Sequence, residues 1–159
     1  YTLLPVPLRE RAVQCVGRLD QDTTGLLLLT DDGQFVHTVT SPRHQVPKVY
    51  EITTAEPVTD AQIAQLCAGV LLADENENVA AAWAERVDTH HLRMALTQGK
   101  YHQVKRMVAA AGNHVDGLHR SAIGGLSLGD LAPGEWRWLE AADLEALNIT
   151  PPHATVTSA

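Results

Sequence analysis

Four consecutive leucines, Leu26-Leu27-Leu28-Leu29, stand between Gly25 and Thr30 and are cut off by Asp31-Asp32-Gly33. An apolar run this short, closed by turn residues, reads as a buried strand rather than a helix. Residues 13–16 form a second apolar run, which stops at Gly17. Both are expected to be buried strands. Between them lies the polar stretch Arg18-Leu19-Asp20-Gln21-Asp22-Thr23-Thr24. A loop at a strand end is where a rigid scaffold presents reactive groups.

With 159 residues, 45% of them hydrophobic, the chain has apolar material for one core and too little for two generous ones. No run approaches the roughly 20 apolar residues of a membrane span. The start Tyr1-Thr2-Leu3-Leu4-Pro5 has neither the basic region nor the cleavage site of a secretory signal, so a cytoplasmic protein without membrane contact is expected. The absence of a starting Met suggests a piece of a longer chain. Cys15 and Cys67 form no CxxC and are expected to be lone core thiols. The histidines show no HxH or HxxxH spacing, so no metal site is expected from them.

Along the chain, a helix over 32–40 is capped by Asp32, and a strand over 48–54 follows. A helix over 59–68 has Thr59 as cap, an apolar face of Ile63, Leu66 and Cys67, and Gly69 as stop. Residues 79–87 and 91–97 read as strands about an Asp88-Thr89-His90 turn. A helix over 102–111 follows the loop 98–101. Residues 114–128 read as extended chain with a kink at Gly124-Gly125, and a turn over 132–135 leads to a short strand over 136–138. The last helix covers 140–147, and the tail 149–159 is expected to be disordered. Strands and helices do not alternate strictly, so the fold class is α+β.

The net charge of -7 argues against nucleic acid, but the distribution of the charge points the other way. Residues 99–120 hold four Lys and Arg against one acidic residue, with His102, His114 and His119 among them. A polyanion is expected to meet the protein there. Asp20, near Arg18, is either an ionised functional carboxylate or a turn residue. Tyr50 is either a packing residue of its strand or a functional ring, and Lys105-Arg106 is a basic pair on a helix. Asp20, Asp22, Asp31 and Asp32 together offer a rival reading as a Mg²⁺ site, against which Asp31-Asp32-Gly33 is explained by a turn and a helix cap.

Taken together, these pieces resemble one family. The stretch Gly17-Arg18-Leu19-Asp20-Gln21-Asp22-Thr23-Thr24-Gly25 with the leucines and Asp31-Asp32-Gly33 is similar to the signature of the RsuA branch of RNA pseudouridine synthases. Lys48-Val49-Tyr50, Gly99-Lys100-Tyr101-His102-Gln103-Val104-Lys105-Arg106-Met107, Leu118-His119-Arg120-Ser121-Ala122-Ile123-Gly124-Gly125 and Leu131-Ala132-Pro133-Gly134-Glu135-Trp136 stand where that branch has its further blocks. The resemblance covers residues 1–148, as one catalytic domain with a mixed, largely antiparallel sheet flanked by helices. Members of this branch begin with a basic S4-type RNA-binding domain and a Lys-Pro strand; this chain starts after both.

The resemblance implies a cofactor-free isomerisation of uridine to pseudouridine. Asp20 would be the essential aspartate, Tyr50 would stack on the extruded uracil and take the C5 proton, and Lys105 would be the ion-pair partner of Asp20. Arg18 would help displace the base, and Leu118 and Ile123 would wall the pocket. Arg43, Lys100, His102 and Arg120 would contact phosphates, with Arg106 in reserve as partner of Asp20. The block around Lys105 resembles the type that modifies one uridine of 16S rRNA, with a large-subunit target as the alternative. A non-catalytic RNA-binding or ribosome-assembly module is the further alternative. A monomer acting on rRNA of the small subunit or its assembly intermediate is expected.

Overall fold

A computed structural model describes residues 14–16, 19, 23–40, 46–72, 78–97 and 102–147. Within them the chain runs β1 (Gln14–Val16), β2 (Thr23–Gly25), β3 (Leu28–Thr30), α1 (Gly33–Thr40), β4 (Lys48–Thr54), α2 (Asp60–Ala68), β5 (Val70–Leu71), β6 (Asn78–Val79) and β7 (Trp83–Asp88). It continues through β8 (His91–Leu96), α3 (Gln103–Ala110), β9 (Val115–Ile123), β10 (Leu126–Ser127) and α4 (Ala141–Ala146). The main sheet has the order β10-β9-β4-β8-β7, antiparallel throughout, and β2 joins it as a parallel neighbour of β9. This is the α+β arrangement with a mixed, largely antiparallel sheet that the sequence predicts.

Strand β4 alternates β-branched and aromatic residues with polar ones, which suits a pleated central position. Its neighbours set Tyr50 opposite Met94 on one side and Arg120 on the other, and Ile52 opposite Leu92 and Leu118. Two apolar cores result. In the first, α2 brings Leu66 and α3 brings Val104, Met107 and Val108 against Ile52, Leu92, Met94, Leu96 and Leu118. The second gathers Val16, Leu26, Leu28, Phe35, Val39 and Val46 around Ile123, Leu126 and Leu147.

Local signals behave as their chemistry demands. The Thr59 Oγ accepts from the Gln62 amide at 3.1 Å while the Thr59 amide donates to the Gln62 side chain at 3.2 Å, and Gly69 ends α2 with φ 118°. Asp32 caps α1 by accepting from the Gln34 amide at 2.9 Å. Arg137 donates a fork of bonds to Asp143 at 2.8 and 3.0 Å, which, with the Glu140 amide, holds the Asp143 carboxyl at about 2. No helix among the described residues is long and apolar enough to cross a membrane.

Four expectations are corrected. The leucine run is not one strand: the chain turns at Leu26-Leu27, so that β2 pairs with β9 and β3 pairs with β1. Residues 79–87 split into β6 and β7, because the Ala81 amide bonds the Leu66 carbonyl at the end of α2. Residues 136–138 form no strand; Trp136 and Trp138 are exposed and pack edge to face with ring centres 5.5 Å apart. Cys67 is exposed and Cys15 half-buried, since Leu66 takes the inward position of α2. The tail 149–159 lies outside the described residues.

Gly25 fixes where β2 meets β9. It adopts φ 117°, and a Cβ there would lie 2.1 Å from the Arg120 carbonyl oxygen. Only glycine meets both conditions. Gly25→Ala is therefore expected to destabilise the chain by at least about 1–3 kcal/mol, read as a lowered urea midpoint; an unchanged midpoint would contradict this contact.

Candidate active site

Three polar side chains, those of Lys48, Tyr50 and Arg120, stand on one side of the sheet because strand residues alternate. Ile52 belongs to the first core, so Tyr50 and Lys48, two and four positions earlier, share its side. On β9, Leu118 and Arg120 face the same way. Between Val49 and Tyr50 the pairing to β9 shifts: Tyr50 meets Arg120 but Val49 meets Ala122, so Ser121 is an extra residue. This bulge returns Ile123 to the side of Arg120, opposite Lys48. Without it, alternation would send Ile123 to the other side.

Lys48, Tyr50 and Arg120 thus occupy the seam between the two cores. Leu118 packs in the first core and Ile123 in the second, so they bracket the seam from its two sides and do not form a single wall behind Tyr50. Tyr50 is half-buried against the first core. Lys48 donates to the Val46 carbonyl at 3.4 Å; burial first, and then the charge of Arg120, pull its ammonium below the ordinary lysine range.

Arg120 departs from the expected role of phosphate contact. It is 1% exposed, and its Nε donates to the Leu26 carbonyl at 2.9 Å. The Leu26 amide in turn donates to the Arg120 carbonyl at 2.8 Å. A guanidinium held this way locks β2 to β9 and is shielded from a passing RNA backbone.

Lys105 and Arg106 lie on the half-exposed side of α3, whose buried side enters the core against which Tyr50 packs. His102 precedes α3 with φ 48°, a left-handed conformation that costs a non-glycine residue and occurs at functional sites. Asp20, Arg18, Arg43 and Lys100 lie outside the described residues. Thr23, three positions after Asp20, opens β2 opposite Leu118.

On the opposite side of β4 sits Glu51, which sequence reasoning missed together with Lys48. Arg93 Nε donates to both Glu51 oxygens at 2.9 Å, His91 Nε2 donates at 2.8 Å and the Ser121 hydroxyl at 2.9 Å. Ser121 is the bulge residue, so this carboxylate pins the irregularity that sets the seam. Burial pushes the Glu51 carboxyl up, but the bonds from Arg93, Ser121 and His91 outweigh it and hold the group below its ordinary value. A shallow trough beside it is lined by Thr24, Glu51, His91 and His119. The signal for Lys48 was available, since the period of two places it with Tyr50. That for Glu51 was not, because its partners come from two other strands.

Because the folded Glu51 value lies below its unfolded one, its contribution to stability is present above the ordinary value of 4.5 and is lost as pH falls through the folded value. Arg93→Gln is expected to raise the Glu51 carboxyl toward or above that value and to shift acid unfolding to higher pH. Carboxyl NMR titration checks this; an unmoved Glu51 would contradict the assigned network.

The family described as RNA pseudouridylate synthase matches residues 2–110. The chain is 47% identical over 136 residues to the ribosomal small subunit pseudouridine synthase A of Escherichia coli (strain K12), which covers 85% of this chain and 59% of the relative. It is 45% identical over 148 residues to the protein of that name from Haemophilus influenzae, covering 92% and 63%. The chain therefore spans about three fifths of the length of these relatives. A crystal structure of a pseudouridylate synthase superposes with a TM-score of 0.88 at 44% identity, covering 92% of this chain and 64% of that one.

Proposed function

The chain belongs to the RNA pseudouridylate synthase family, and we propose on that premise that it isomerises a uridine of 16S rRNA to pseudouridine, as part of an enzyme of the small-subunit type. The observation that carries this reading is the seam holding Tyr50 in register with Arg120, the residue of β9 on which Gly25 closes. Strand β2, which follows Asp20 in the sequence, pairs with one edge of β9 at this point, and Tyr50 pairs with β9 from the other edge.

In this mechanism a uridine leaves its stack and lies against Tyr50, at a cost of a few kcal/mol that protein contacts offset. Asp20, ionised, acts on the ribose or the base, and Lys105 is its ion-pair partner. The N1–C1′ bond breaks, the uracil turns, and C5 bonds to C1′. Tyr50 then takes the C5 proton. Arg18 fills the place of the displaced base, and Arg43, Lys100 and His102 hold phosphates. The enzyme acts as a monomer on the rRNA or on an assembling subunit.

The test is release of tritium from C5 of labelled 16S rRNA, offered free and in a subunit assembly intermediate, with large-subunit rRNA as a parallel substrate. Asp20→Asn is expected to abolish release while RNA binding stays within about threefold; activity retained in that variant overturns the mechanism. Tyr50→Phe keeps the stacking ring and is expected to slow release by about 10²–10⁴-fold, whereas a wild-type rate would remove Tyr50 from proton transfer. Release from large-subunit RNA alone would reassign the substrate.

A further inference from the structure

We propose that Lys48 is a further catalytic residue, the cation that meets the negative charge on the uracil once its bond to ribose is broken. This rests on the reading that Tyr50 stacks on the uracil. Lys48 stands two residues from Tyr50 on the same side of β4, about 6.6 Å along the strand, and lies between Leu96 of the first core and Ile123 of the second. Its position in the seam is set by the Ser121 bulge, which keeps Ile123 opposite it.

The chemistry of the step demands such a group. When N1–C1′ breaks, the bonding pair stays on the base, and the charge spreads from N1 to O2 and O4. The electron deficiency left at C1′ is met by the Asp20 carboxylate or by loss of the C2′ proton. When C5 later bonds to C1′, its hydrogen leaves as a proton while N1 gains one, and a C2′ that lost its proton recovers it, so the balance closes without a co-reactant. The charged intermediate is lowest in energy where a fixed cation already waits in a water-poor site.

Lys48 has the properties of a group that waits for an anion. An ammonium carries three donors, and the partner found for it among the described residues is one carbonyl, that of Val46, at the long distance of 3.4 Å. Half-buried, and beside a second cation in Arg120, it is held in a state that an anionic ligand relieves. A structural lysine would sit more cheaply in solvent.

Single-turnover tritium release from 16S rRNA, together with equilibrium RNA binding, tests the assignment. K48M is expected to slow the bound turnover by about a hundredfold with RNA affinity within about threefold, and K48R, which keeps the charge, to recover most of the rate. A K48M rate within about threefold of wild type overturns the proposal, as does a loss confined to RNA affinity, which would make Lys48 a phosphate contact. Thermal unfolding accompanies each variant; if K48M does not fold, K48Q takes its place in the same comparison. A wild-type chain that releases no tritium from any rRNA overturns the functional reading itself, whereas an active wild type with an equally active K48M overturns the lysine alone.

Discussion

The pairing of β4 with β9, with one surplus residue at Ser121, is the constraint on which the rest of the site depends. A regular ladder would place Leu118, Arg120 and Ala122 on one side and turn Ile123 away. The surplus residue instead lets Leu118 and Ile123 enter two different cores while Arg120 remains between them. Glu51 holds the surplus residue from behind, and Arg93 and His91 hold Glu51. The side of the strand that carries Tyr50 and Lys48 is thus positioned by a polar network on its other side.

Two cores rather than one explain how a small chain keeps polar groups half-buried. Each core closes on itself: the first under α2 and α3, the second around β1, β3, α1 and the last helix. Strand β9 sends Leu118 into the first core and Ile123 into the second, while β4, paired to it, gives Ile52 to the first, so the line where the cores meet crosses β9. Lys48, Tyr50 and Arg120 take that line. Burial there has a cost for Lys48, visible in its weakened hold on a proton.

Much of this was legible in the amino-acid order. The limits of β4 follow from its alternation, the start of α2 from Thr59 and Gln62, and its end from Gly69. The motif blocks nominate Asp20, Tyr50 and Lys105 by resemblance alone, and Asp20 lies outside the described residues. What local pattern could not show is long-range. Four leucines in a row carry no sign that the chain turns between them; the turn exists because Gly25 packs on Arg120, far along the sequence. Arg120 looked like a surface cation, and its burial is decided by the Leu26 carbonyl that it bonds. Trp136-Arg137-Trp138 has strand composition, yet the fork from Arg137 to Asp143 ties it to α4 instead.

The parallel contact between β2 and β9, sealed by the 2.8 Å hydrogen bond between the Thr24 hydroxyl and His119, joins residues 95 positions apart. Loop closure over such a span is entropically costly, and contacts of this kind form late. Order at the start of β2 therefore arrives after the hairpin of β7 and β8 and after the local helices. During synthesis the segment that follows Asp20 has no partner until residue 120 has left the ribosome. Strand β2, written early in this chain, finds its partner only in β9, close to a hundred positions later.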